Sequence, residues 1–348
     1  MNNKKRILIA PLDWGLGHAS RCIPIARQLE AHGFEVILAA SGRPLDLLMG
    51  EFPNRDFIKL ESYNIHYPKS GNMAWSMISQ SLKIWRGIRK ENKILNQIIE
   101  DYKIDGVISD NRFGLYSKKV PCVFITHQLN IQSPILSQWI QNINFKYIEK
   151  YDACWIPDSN DHLLSGNLTN SNLPQINSHF VGCLSRFESL KKTEELEILA
   201  VISGPEPQRT LFENILKKQL LASKKKALLV LGKTEDNSEK QIENLKIVGH
   251  LKSSELNQAM MNADVVISRS GYSTVMDLAK LSKKAIFVPT PGQTEQEYLA
   301  TYYYDKKLAF AMPQRTFDLS IALEKVNDFK GLNLSDHQTN WNSLFALF

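Results

Sequence analysis

Short β-branched apolar runs alternate along the chain with longer segments of helical period. The runs fall at Arg6–Ala10, Glu35–Ala40, Phe57–Leu60, Gly106–Ser109, Cys122–Thr126 and Ala153–Ile156. A similar series restarts at Ile198–Ser203, Ala227–Leu231, Leu245–Val248, Val265–Ser268, Ala285–Val288 and Leu308–Met312. Strands of a parallel sheet are apolar on both faces and need a crossover to reach the next strand, so this rhythm predicts two doubly wound, Rossmann-like α/β domains. Between the series, a strand-like HFVG and the polar LSRFESLKKTEE predict a linker with the cut near Arg186. The expected organisation is therefore residues 1–185, residues 186–332 and a helical tail, 333–348, in which Trp341, Leu344, Phe345 and Phe348 share near-helical spacing. Two such domains are expected to face a central cleft at the carboxyl ends of their strands. The asparagine-rich tract Asn160–Asn177 reads as a loop or irregular excursion.

The most informative stretch is Val265–Ala300, which reads as strand, tight loop, helix, strand, loop, helix. Its first loop, Ser270-Gly271-Tyr272-Ser273-Thr274, opens a helix, where unpaired N–H groups and the positive end of the dipole suit phosphate or carboxylate. Asp277 lies about one turn further on, within reach of a ligand held there. The second loop supplies Gln293, Thr294, Glu295, Gln296 and Glu297, acceptors and amides suited to sugar hydroxyls. An ordinary β–α–β–α unit with a capped helix and a solvated acidic turn has the same local pattern.

Other candidates sit on loops after strands. His18, in D-W-G-L-G-H-A, stands at the start of the first helix, where the dipole disfavours imidazolium and keeps the ring able to accept a proton. A capping or packing histidine is the plainer alternative. Gly15 and Gly17 of this loop are candidates for acceptor binding; Ser20 replaces the third glycine of the dinucleotide fingerprint and the second strand ends without an acidic residue, which argues against a nicotinamide enzyme. Asp110 follows the strand GVIS, and His127 and Gln128 follow VFI, where each suits acceptor binding, assistance to His18, or a loop cap. In the second half Arg209 is placed to meet phosphate with a planar fork of donors, and Gly249-His250 forms a turn whose backbone suits a nucleobase edge.

The 348 residues are 43% hydrophobic and 22% charged, as in a soluble globular protein with room for two cores. Four scattered cysteines form no C-x-x-C pair and read as reduced thiols of a cytoplasmic protein. The apolar part of MNNKKRILIAP is only strand-length, so neither a signal peptide nor a membrane span is expected. A net charge of +6 suits an anionic partner. If residues 74–100 are helical, Lys83, Arg86, Lys90 and Lys93 share one face and Ile78, Trp85, Ile88, Leu95 and Ile99 the other. Such a helix lies either on an anionic membrane surface or against the core with its charges in water. No nucleic-acid motif is present.

On S-G-Y-S-T-V-M-D-L, F-V-P-T-P-G-Q-T-E-Q-E-Y-L-A and G-L-G-H, the chain resembles GT-B glycosyltransferases. It is most similar to the family 28 branch, with the peptidoglycan lipid-intermediate N-acetylglucosaminyltransferases and the diacylglycerol galactosyltransferases. The resemblance covers both domains and is strong in the C-terminal one. It implies an N-terminal acceptor domain and a C-terminal nucleotide-sugar domain. It places Asp277 at the ribose of a UDP-sugar, Gln296 and Glu297 at the sugar, Arg209 at the nucleotide and His18 at the reaction centre. Two departures stand out: Pro205 and Pro207 occupy a loop that is glycine-rich in the relatives and have no N–H to donate, and Trp14 and Leu16 replace small residues.

The resulting expectation is an inverting transfer of a hexose, GlcNAc foremost, from a UDP-sugar to a hydroxyl acceptor, for which a lipid-linked or lipopolysaccharide-type molecule is one option. His18, helped by Asp110, acts as base, with no cofactor or metal, since no D-x-D motif occurs. A nucleotide-sugar hydrolase or epimerase, or a catalytically silent nucleotide-sugar-binding partner, would use the same architecture. The expected location is the cytoplasm, at the inner face of the plasma membrane if the basic helix binds lipid.

Overall fold

The structure is a computed structural model that describes residues 4–62, 73–130, 137–170, 176–233, 236–333 and 339–348. The chain divides into two compact units, Met1–Leu184 with Gln338–Phe348, and Ser185–His337.

The first unit is built on β1 (Arg6–Pro11), β2 (Glu35–Ala40), β3 (Phe57–Lys59), β4 (Gly106–Asp110), β5 (Cys122–Ile125), β6 (Ala153–Ile156) and β7 (Ser178–Phe180). Its order is β3-β2-β1-β4-β5-β6-β7, and every pair is parallel. Helices α1 (Leu16–Ala31), α2 (Gly42–Glu51), α3 (Met73–Tyr102) and α4 (Ser137–Ile148) make four of the crossovers, and β4 reaches β5 through residues 111–121 without a helix. Ile7, Leu8, Ile9, Val107 and Ile108 are fully buried, as the apolar runs require of strands covered on both faces. The strand order reverses between β1 and β4, where Pro11 lies opposite Asp110. Ligands of open α/β sheets bind at such switch points.

Two expectations are corrected here. The HFVG segment is not linker, because Ser178–Phe180 pairs with β6 as the outer strand β7. On α3, Trp85 leaves the expected apolar face: it is 42% exposed, with the Arg89 guanidinium 3.6 Å from its ring centroid. Glu91 takes a place beside buried Ile88 and Leu95, which the helical period allows because Arg112 Nε donates to its carboxylate at 2.5 Å. The side chains of Ile78 and Lys83 lie outside the described residues. In the asparagine-rich tract, buried Asp158 accepts the N–H groups of Ser159, Leu164 and Ser165 at 2.7, 2.9 and 3.0 Å, which pins an irregular loop. Residues 171–175 of that tract are outside the described residues.

The second unit contains β8 (Leu196–Val201), β9 (Ala227–Val230), β10 (Glu239–Ile242), β11 (Leu245–Val248), β12 (Ala263–Ser268), β13 (Lys284–Phe287) and β14 (Phe310–Ala311). Its order is β10-β11-β9-β8-β12-β13-β14, parallel except for the β10–β11 pair. Helices α5 (Gln208–Ser223), α6 (Ser253–Asn262), α7 (Tyr272–Lys280), α8 (Thr294–Asp305) and α9 (Leu319–Lys325) accompany it. The switch point lies between β8 and β12, where Val201 faces Ser268. Strand β10, with the sequence EKQI, has no apolar signal because it is an exposed edge. Among the described residues no helix is long and apolar enough to cross a membrane.

The tail forms α10 (Trp341–Phe345) and returns to the first unit. The Phe345 ring lies 5.8 Å from Phe34 and 6.1 Å from Trp155, centroid to centroid, and a Cβ at Gly106 would collide with the Phe348 ring. Burying a phenylalanine of this kind contributes several kcal/mol, so Phe345→Ala is expected to destabilise the first unit by about 3–5 kcal/mol. Calorimetry should show the loss in the first unit's transition alone. An unmoved transition would mean that the tail is not part of that core.

Candidate active site

The loop after β1 brings α1 in at the switch point, and the end of β4 presents Asp110 beside it. Asp110 is fully buried and is met by a residue that the sequence reading missed, Arg21. Arg21 Nε donates to Asp110 Oδ2 at 2.5 Å, and its Nη2 donates to Oδ1. The same guanidinium reaches His18 Nδ1 at 2.8 Å through Nη2 and His127 Nδ1 at 3.0 Å through Nη1. His18 Nδ1 is also 3.0 Å from Asp110 Oδ1. Three of the expected residues, His18, Asp110 and His127, are thus brought together by a fourth. Arg21 follows His18 by three positions, one helical turn, on a face otherwise occupied by Ala19, Cys22, Ile25 and Ala26. A charge in that row was the available signal.

Burial alone would raise the Asp110 carboxyl, but Arg21 and then His18 outweigh it and bring it down to about 2. It is ionised at any ordinary pH. His18 is lowered from the usual histidine value, first by burial, with Arg21 and His127 adding to the effect and Asp110 opposing it. Its ring is neutral at pH 7. Two neutral tautomers fit the contacts. With the proton on Nδ1, donated to Asp110, Nε2 is an acceptor; with Nδ1 accepting from Arg21, Nε2 carries the proton. Nε2 has no hydrogen-bond partner among the described residues, and the side chain is 18% exposed.

His127 is 5% exposed and joins this network through Nδ1, 3.0 Å from Arg21 Nη1. Gln128 is half-buried, with its N–H on Thr126 Oγ1 at 3.1 Å. Gly15 is exposed and Gly17 half-buried at the start of α1.

In the second unit, α7 begins after Gly271, and no side chain caps it. A Cβ at Gly271 would meet nothing within 4 Å, so this helix start adjoins open space. Ser273 and Thr274 are half-exposed there, whereas Tyr272 is buried at 3%. Ser270 is fully buried, and its hydroxyl donates to the Gln296 carbonyl at 2.6 Å. Gln296 Oε1 accepts from the Thr290 N–H at 2.8 Å and Glu297 Oε1 from the Gly292 N–H at 2.9 Å, so both side chains hold the loop before α8. Gln293, Thr294 and Glu295 stand on that loop and the first turn of α8.

Arg209 Nη2 is paired with Glu206, whose other oxygen accepts from the Thr210 N–H at 3.2 Å. A carboxylate of the chain itself therefore sits at the start of α5. The Gly249 N–H donates to the Ser238 carbonyl at 3.0 Å, and its carbonyl accepts from the Lys233 N–H at 2.9 Å. His250 is half-buried beside it. Asp277 is 8% exposed and accepts from Ser185 Oγ at 2.6 Å.

Arg269 and Thr290 were also missed. Arg269, 1% exposed, donates to the carbonyls of Val288, Pro289 and Gln208 at 2.9, 3.2 and 3.1 Å and to Gln314 Oε1 at 2.6 Å. Burial lowers it to about 10. It ties together the loops at the carboxyl edge of this sheet. Thr290, 2% exposed, has a buried hydroxyl with no hydrogen-bond partner among the described residues, 3.4 Å from where a Cβ on Gly204 would be. Gly204, at φ +107, follows β8 on the same edge. Among the described residues no group of three or more His, Cys, Asp or Glu side chains is placed to hold a metal ion.

Fold and sequence together define the class. Residues 198–340 match the glycosyltransferase family 28 C-terminal domain, and with two parallel α/β units the protein is a glycosyltransferase of the GT-B type. The chain is 26% identical over 349 residues to an uncharacterized glycosyltransferase of Methanosarcina mazei, covering 88% of this chain and 86% of the relative. It is 23% identical over 325 residues to the UDP-N-acetylglucosamine--N-acetylmuramyl-(pentapeptide) pyrophosphoryl-undecaprenol N-acetylglucosamine transferase of Actinobacillus pleuropneumoniae, covering 90% and 86%. Among solved structures, MurG of Acinetobacter baumannii aligns over 99% of this chain and 98% of its own, with TM-score 0.57 and 15% identity. The rhamnosyltransferase SpnG in complex with thymidine diphosphate covers 92% and 91%, with TM-score 0.61 and 13% identity.

Asp277 is raised by burial to about 6, against Arg186 and the Ser185 hydroxyl. Its folded value lies above the unfolded one, so the fold loses stability as pH rises from about 4 to 6 and bears the whole cost at pH 7. Asp277→Asn is therefore expected to stabilise the second unit at pH 7 by about 1–3 kcal/mol and to be neutral near pH 3.5. Urea unfolding at the two pH values checks this, and equal effects at both would contradict it.

Proposed function

We propose that the protein is an inverting, metal-independent transferase that moves a hexose, GlcNAc foremost, from a UDP-sugar to an acceptor hydroxyl. One observation carries the reading: a neutral histidine on the first turn of α1, gripped at Nδ1 by a buried ionised carboxylate and open at Nε2. That is the equipment of a general base. The acceptor oxygen attacks the anomeric carbon as its proton passes to His18 Nε2. The bond from that carbon to the diphosphate oxygen breaks, and its electron pair leaves with UDP. Asp110 then faces an imidazolium that it stabilises.

Charge on the departing diphosphate falls first to the uncapped start of α7, with the Ser273 and Thr274 hydroxyls beside it. Arg209 serves there only after leaving Glu206. The raised Asp277 suits a ribose, because hydroxyl donors to its carboxylate relieve the cost of ionising it in place. Gln293, Thr294 and Glu295 are proposed to face the sugar, with Gln296 and Glu297 holding their loop. These donors take the part that a metal plays elsewhere, and turnover in EDTA is part of the proposal.

A lipid-linked acceptor is supported by the name of the Actinobacillus relative, whose substrate is undecaprenol-linked. Trp85, Arg89, Lys90 and Lys93 are exposed on α3, a set suited to anionic headgroups at the inner membrane face.

Incubation with UDP-GlcNAc and lipid extract, with product analysis, separates the readings. Free sugar without acceptor marks a hydrolase, a changed sugar an epimerase, and bound donor without turnover a silent partner. For a transferase, His18→Ala is expected to lower turnover 10²–10⁴-fold while UDP affinity stays within about twofold. Unaltered turnover would sink the base assignment.

A further inference from the structure

Ser185 is the first residue of the second unit, and its hydroxyl is held from two sides. It accepts from the Phe187 N–H at 3.1 Å and donates its one proton to Asp277 Oδ1 at 2.6 Å. Ser185 and Asp277 are each 8% exposed and stand 92 positions apart in the chain. The bond therefore ties the segment that enters this unit to the second turn of α7, a helix whose start adjoins open space. It leaves the two carboxylate oxygens in different conditions. Oδ1 is taken, whereas Oδ2 has no hydrogen bond among the described residues. Burial opposes ionisation of this carboxyl, and Arg186 and then the Ser185 hydroxyl favour it. An ionised oxygen in such a place gains from every donor that a ligand brings.

We propose that Ser185 is a positioning residue that makes the donor site selective for ribonucleoside over deoxyribonucleoside diphosphates. By holding Oδ1 it fixes the rotation of the Asp277 carboxylate and presents Oδ2 to the vicinal 2′- and 3′-hydroxyls of a ribose. A deoxyribose brings one donor fewer and leaves the oxygen undersupplied. Donors to a charged acceptor discriminate more strongly than donors to a neutral one, so the selectivity depends on Asp277 being both ionised and aimed. Without the Ser185 hydroxyl the carboxylate has two undersupplied oxygens and no fixed orientation, and its neutral form gains. The inference rests on the transferase reading, in which Asp277 meets the ribose. It adds the residue that aims Asp277 and the class of nucleotide that the pair selects.

Titration calorimetry of the full chain with UDP and with 2′-deoxyuridine diphosphate, which lacks a single hydroxyl, tests this. The wild type is expected to bind UDP at least about tenfold more tightly, as one hydrogen bond to a charged group implies. Ser185→Ala is expected to reduce that preference below about threefold while UDP still binds. Ser185→Thr and Ser185→Val have nearly the same shape and differ in the hydroxyl, so the first should keep the preference and the second lose it. Where alanine prevents folding, this pair decides. Equal binding of the two nucleotides by the wild type, an undiminished preference in Ser185→Ala, or the same preference in the threonine and valine variants would overturn the proposal. Failure of the wild type to bind UDP, or a preference that survives Asp277→Ala, overturns instead the reading on which the proposal rests.

Discussion

The ion pair between Arg21 and Asp110 is the contact on which the first unit's site depends. Both side chains are buried, and a buried charge is tolerated only when paired and hydrogen-bonded. The pair joins the start of α1 to the end of β4 across the point where the strand order reverses. It also sets the electrostatics of His18: the guanidinium and burial keep the ring neutral, and the carboxylate supplies an acceptor for Nδ1. The depressed Asp110 adds stability that is complete above about pH 4 and is lost as pH falls toward 2. Truncating one partner alone would strand the other charge, which is why structure and chemistry cannot be separated here.

The second unit solves a related problem with Arg269, whose partners are mainly carbonyl oxygens. Loops that follow parallel strands leave carbonyls with no ladder partner, and one guanidinium gathers those of Val288, Pro289 and Gln208. The loop after β8 is closed by its own Glu206 on Arg209, while the start of α7 is uncapped beside open space. The two prolines of the first loop anticipate this division, since they remove N–H donors where Glu206 then supplies negative charge.

Both sheets were legible because strands buried on two faces must be apolar, and nothing in the chain competes with that signal. What the pattern concealed has physical causes. Strand β10 is an exposed edge, so its residues carry no hydrophobic code. Arg21 and Glu91 are charges on helices, which read as solvent-facing until their partners 89 and 21 positions away are known. The Gly249 N–H and the Ser270 hydroxyl donate within the fold, to the carbonyls of Ser238 and Gln296, and no local pattern announces such partners. His18 and Asp110 were readable one by one from their places after strands; their coupling through Arg21 was not.

The state of the His18 ring tests the account most directly, and it needs no knowledge of the acceptor. Nitrogen-15 NMR of the histidine side chains at pH 7 should show His18 uncharged, with its proton on Nδ1 and a bare Nε2, titrating below the ordinary histidine value. An imidazolium at pH 7, or a proton resident on Nε2, would contradict the assignment of this histidine as the base.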